Sequence, residues 1–152
     1  MNLYAAPKST LDEPARGNSG TAVLVGAAVG IGISYTVLTV VGIIFLWVLT
    51  LQGVSLQDLY ARAYQSTAYI AFAHVFGVLC HIYGGYWSAR LASRKPLATA
   101  LFAGAVVAVF TAITNLMPYE LPIPLWSRIA GVLAPMPSFA LGALAWRRVP
   151  QK

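Results

Sequence analysis

Four largely apolar stretches, separated by short polar or proline-rich connectors, set the pattern of this chain. The first covers residues 21–51, TAVLVGAAVGIGISYTVLTVVGIIFLWVLTL, and contains no charged residue. As a helix rising about 1.5 Å per residue it reaches roughly 45 Å, against a hydrocarbon core of about 30 Å, so it must tilt, kink or protrude. Further apolar runs occupy residues 67–89, 97–117 and 125–146. Each is close to the roughly 20 residues that a membrane-crossing helix needs. The pattern therefore predicts an all-α integral membrane protein with four transmembrane helices arranged as two hairpins. Residues 21–148 form one membrane domain, residues 1–20 a disordered or interfacial tail, and residues 149–152 a short C-terminal tail.

The connectors refine this picture. QGVSLQDLYARAYQST, after the first span, is too polar to cross a bilayer. Its Ser55 and Asp58 have the spacing of a capping box, and Leu56, Leu59, Tyr60, Ala63 and Tyr64 recur at helical intervals, which predicts a short amphipathic helix at the headgroup level. The second span ends in a basic turn at Arg90, Arg94, Lys95 and Pro96, whereas MPYELPIP, before the fourth span, carries no basic residue. Inside the fourth span lies APMPS. Pro135 and Pro137 each remove a helical N–H and clash with the carbonyl four residues back, those of Gly131 and Leu133, which predicts a kink or interruption.

Small residues are spaced for close helix packing. Gly26 and Gly30 stand four apart in the first span, with Gly32 following; the second span passes through Gly77, Gly84 and Gly85; and Ala100, Gly104, Ala108 and Ala112 form a four-residue ridge on the third. Trp47, Trp126 and Trp146 lie near span ends, where an interfacial anchor belongs.

Composition and charge agree with membrane residence. Of the 152 residues 59% are hydrophobic and 9% charged, against roughly 25% charged in soluble domains. The net charge of +6 is carried at the ends of apolar runs, so it reads as topology and anionic-lipid contact rather than nucleic-acid binding. Placing both termini inside puts Lys8, Arg16, Arg90, Arg94, Lys95, Arg147, Arg148 and Lys152 on the inner side and only Arg62 and Arg128 outside. The expected location is a bacterial inner membrane with cytoplasmic termini.

The stretch GGYWSAR from Gly84 to Arg90, followed by Pro96 and a Gly/Ala-rich third span, resembles small four-span bacterial membrane proteins of uncharacterised families. The resemblance implies the same four-helix architecture and carries over no catalytic or binding residue. A fainter echo joins GYWSARLASRKP to GALAWRRVP, the ends of the second and fourth spans. Duplication of a hairpin and convergent membrane-exit chemistry both account for it.

Few residues offer chemistry. His74 and His81 share one helix face about 10 Å apart along its axis, too far to bind one metal ion. Two-histidine haem ligation would need a second chain. Cys80, the single cysteine, and His81 are adjacent and point about 100° apart, so they do not form a nucleophile and base. No cofactor, metal site or catalytic set is therefore expected. Arg128 is expected to snorkel outward or pair with Glu120, or else to build an anion or lipid-headgroup site with Tyr119 and Trp126. His74, His81, Arg128, Pro135, Pro137 and Ser138 are the candidate polar path or interface.

Two functional readings follow. The first is a non-enzymatic helical subunit that packs against itself or a larger membrane complex through Gly26, Gly30, Gly77, Gly84, Gly85, Ala100, Gly104 and Ala108, with the lipid bilayer as its other partner. The second is a small oligomeric transporter or channel using the proline-broken span and the two histidines.

Overall fold

The structure, a computed structural model, describes residues 18–117 and 123–148. The expected N- and C-terminal tails, Tyr119 and Glu120 lie outside the described residues. Six helices follow in order: α1 (Ser19–Leu51), α2 (Leu59–Gln65), α3 (Thr67–Leu91), α4 (Pro96–Leu116), α5 (Leu125–Leu133) and α6 (Pro135–Arg147). The described residues contain no strand, and α1, α3, α4 and the α5–α6 pair are the four segments long and apolar enough to span a membrane.

Local chemistry sets the helix ends. The Asn18 side chain accepts a hydrogen bond from the Gly20 N–H at 3.0 Å, and the Ser66 hydroxyl accepts one from the Tyr69 N–H at 3.3 Å, so α1 and α3 each begin on a side-chain cap. After α1 the chain reverses at Gly53, whose φ of 82° favours glycine. Pro96 opens α4, where its missing N–H costs nothing. Ser55 and Asp58 do not form the expected capping box. The Ser55 hydroxyl donates to the Asp58 carboxylate at 2.7 Å, Asp58 makes no side-chain cap, and α2 starts only at Leu59, leaving Leu56 exposed.

The long helices alternate in direction. α1 and α3 run antiparallel, and α6 runs parallel to α3 and antiparallel to α4. The Ser19 and Ser93 hydroxyls meet at 3.2 Å, which places the start of α1 beside the α3–α4 turn. At the same end, Trp146 packs with Ala89, Ala100 and Ala143. The exposed Arg90, Arg94, Lys95, Arg147 and Arg148 thus gather at one end of the bundle.

Glycines let these helices approach closely. A Cβ on Gly84 would come within 2.7 Å of the Gly26 carbonyl oxygen, and one on Gly85 or Gly142 would strike the backbone of the opposing helix in the α3–α6 pair. Phe139 sits where these contacts meet. Its side chain is 0% exposed, packs with Ala27, Ala103 and Val107, and lies against Gly30 of α1, Gly84 and Gly85 of α3 and Gly104 of α4. Because lipid is as apolar as the bundle interior, such interlocking contact rather than expulsion of water holds membrane helices together.

The small-residue rows are used unevenly. Gly32 faces open space, so it takes no part in the packing that joins Gly26 and Gly30 to α3. On α4 the buried set is Thr99, Ala100, Ala103, Gly104 and Val107, while Ala108 and Ala112 are half-buried. A strict four-residue row advances about 40° per step around a helix, so it drifts off the contact face within two turns.

Candidate ligand cavity

The bundle is wedge-shaped, and its sequence explains why. All buried residues of α1, namely Ala22, Gly26, Ala27, Gly30 and Ser34, fall in its first half. Beyond Ser34 the face turned to α3 and α4 carries Tyr35, Leu38 and Leu46, and α3 answers with Tyr69, whose ring stacks on Phe45 with centroids 4.7 Å apart. Tyr35 meets Phe110 of α4 edge-on at 6.5 Å. Large rings keep the helices apart where small residues draw them together at the other end.

The gap is a partly open cavity of about 540 Å³ between α1, α2, α3, α4 and α5. That volume falls within the ~300–1,000 Å³ typical of small-molecule sites. Tyr35, Tyr60, Tyr64 and Tyr69 supply aromatic walls; Thr39, Thr111, Asn115, Ser127, Arg128 and His74 supply polar groups. Toward the basic end it is closed by the packed cluster of Ala27, Ala103, Val107 and Phe139. Two further depressions, of about 460 and 610 Å³, lie on the polar α1–α2 turn among residues such as Gln52, Arg62 and Gln65.

Two hydrogen-bonded clasps hold α5 over the cavity. His74 Nε2 of α3 lies 2.8 Å from the Ser127 hydroxyl, with the Trp126 ring 5.5 Å from the imidazole. The Asn115 side-chain amide of α4 donates to the Arg128 carbonyl at 3.1 Å, and the Arg128 guanidinium donates in return to the Asn115 carbonyl. Ser127 and His74 have the separation of a nucleophile and base, but a base needs a third group to orient it. Asp58 is the sole acid among the described residues, and it is bonded to Ser55. The His74–Ser127 hydrogen bond joins α3 to α5.

The remaining predicted polar positions are elsewhere. His81 is half-buried against Phe139 at 5.8 Å, and its Nδ1 has no hydrogen-bond partner among the described residues. It does not line the cavity, nor do Pro135, Pro137 and Ser138. The break falls at Ala134, between α5 and α6. Pro135 is fully buried with its carbonyl facing Gly104, and the Ser138 hydroxyl donates to the Ala134 carbonyl at 2.7 Å. Gly131, whose carbonyl loses its helical donor to Pro135, does reach the cavity wall. Gly77 sits opposite Ser34, and Cys80 is a buried free thiol. Among the described residues no three His, Cys, Asp or Glu side chains come together.

Sequence reasoning picked out His74 and Arg128 but not their partners Ser127 and Asn115, nor the tyrosine walls. The available signal was the tyrosine density around the second connector together with polar residues near the ends of the third and fourth spans. Searches against known protein families, curated proteins and solved structures return no match.

Proposed function

We propose that this chain is a non-enzymatic integral membrane protein that binds a small amphiphilic molecule inside its four-helix bundle. The observation that carries this reading is the convergence of His74, Asn115, Ser127 and Arg128, from three helices, on one side of a cavity of about 540 Å³ whose other walls are aromatic and aliphatic. A pocket with apolar walls and a few convergent polar groups is the usual form of a small-molecule site. The subunit reading rested on the small-residue faces, and Gly26, Gly84, Gly85 and Gly104 are occupied within the chain by its own helices. That leaves the cavity as the stronger motive. The basic end is assigned to the cytoplasm of a bacterial inner membrane on the balance of Lys and Arg, which places the cavity in the outer half of the bilayer.

The test is a thermal-shift screen of the detergent-purified protein against amphiphiles with common tails and varied heads. Thr39→Trp, which adds bulk at an exposed wall position without removing a described hydrogen bond, serves as the blocked control. Stabilisation of the wild type that disappears in Thr39→Trp supports the reading; no stabilisation by any amphiphile overturns it.

A transporter is the second reading, favoured by one observation. α5 has no buried residue whereas α6 has five, so the cavity's lid is loosely packed and joined to a firmly packed helix at Ala134. Transport would swing α5 about that joint. Liposome flux unaffected by replacing His74 together with Pro135 and Pro137 removes this reading.

A further inference from the structure

Arg128 brings a permanent positive charge into the wall of a cavity that is otherwise neutral. An arginine does not deprotonate in proteins, so the wall carries this charge at every physiological pH. Its contact with the Asn115 carbonyl engages one of five guanidinium N–H donors with a neutral acceptor. Among the described residues the cavity wall contains no acid, and Asp58, the sole acid described, is held by Ser55. The cavity wall holds further donors. Asn115 uses its side-chain amide toward Arg128 and retains a second N–H, and the Tyr60 and Tyr69 rings carry phenols on the same cavity. Arg128 also lies in the first turn of α5, whose initial N–H groups and dipole favour an anion. Opposite these groups the lining turns apolar with Leu38, Ile43, Leu46 and Ile70.

We infer that the cavity takes an anionic amphiphile, its carboxylate or phosphate against Arg128 and Asn115 and its apolar body between α1 and α3. The inference rests on the binding role proposed above and adds the sign of the head and the residue that selects it. A membrane lipid with an anionic head and a soluble alkyl acid share this chemistry.

The probes are dodecanoate, dodecyl phosphate, dioctanoyl phosphatidic acid, dodecanol and inorganic phosphate, each titrated into the full chain in a non-ionic detergent. Binding is read as thermal stabilisation. The expected result is saturable stabilisation by the anionic amphiphiles and none by dodecanol or inorganic phosphate. Preference for the two-chain phosphatidic acid identifies a lipid as the source, and preference for dodecanoate or dodecyl phosphate a single-chain acid. Arg128→Gln weakens the anionic probes about tenfold or more, as expected for loss of a charge-assisted hydrogen bond; Arg128→Lys recovers part of the affinity. Arg90→Gln, at the basic end, leaves binding unchanged and so excludes general attraction to a cationic protein.

Equal binding of dodecanol and dodecanoate, lost in Thr39→Trp but not in Arg128→Gln, overturns the anion assignment while leaving the cavity's binding role intact. Absence of binding by every probe overturns both. If Arg128→Gln fails to fold, Arg128→Lys, with dodecanoate affinity compared against dodecanol, decides the matter: no preference for the acid in either wild type or Arg128→Lys is the overturning result.

Discussion

Phe139 shows how much of this bundle depends on single positions. Its side chain lies against glycines of three other helices, Gly30, Gly84 and Gly104, and is the largest fully buried one described. Phe139→Ala should lower the detergent melting temperature more than any cavity-lining change. The soluble-core cost of about 3–5 kcal/mol is an upper bound, because a ring released from the bundle still finds apolar lipid or detergent. A matched glycine pair separates packing from helix propensity. Gly85→Ala forces a methyl into the Phe139 backbone and should destabilise by about 1–3 kcal/mol, whereas Gly32→Ala meets open space and should be neutral or stabilising by about 0.5–1 kcal/mol. Thermal unfolding of the two variants in one detergent measures the difference. Equal effects would mean that α3 and α6 do not touch as described.

At the level of elements, α5 and α6 form one membrane crossing with two characters. α6 is locked by Pro135, Ser138, Phe139, Gly142 and Ala143, while α5 is held chiefly by the His74–Ser127 and Asn115–Arg128 clasps. Helices with few buried contacts open at lower free energy, so amide exchange in α5 should be markedly faster than in α6. Pro137→Ala restores an N–H for the Leu133 carbonyl and should slow exchange around the joint; unchanged rates would show that the proline does not govern it. The proline break was legible because its chemistry is local to the chain. The Ser55–Asp58 spacing does not yield a cap, because a serine hydroxyl satisfied by a neighbouring carboxylate no longer serves a backbone N–H. Nothing within α4 alone distinguishes Gly104, which meets Phe139, from Ala108, which lies aside; that depends on where α6 sits.

For the whole molecule, four spans and their limits could be read from apolar length and punctuation, since a bilayer constrains helices by thickness before it constrains them by contact. The cavity could not. It arises because small residues at one end of α1 and rings at the other spread the helices into a wedge, and because Asn115 and Arg128, 13 positions apart, meet across two elements. Cysteines introduced at Arg94 and Arg147 in a Cys80→Ser background should react from the same side of the membrane; labelling from opposite sides would contradict the alternating bundle. The most direct measurement of the central claim is native mass spectrometry of the protein extracted gently from its own membrane. The account predicts a bound anionic amphiphile at one copy per chain, retained by Arg90→Gln and lost from Arg128→Gln. Bare protein throughout, or a bound molecule indifferent to Arg128, would contradict it.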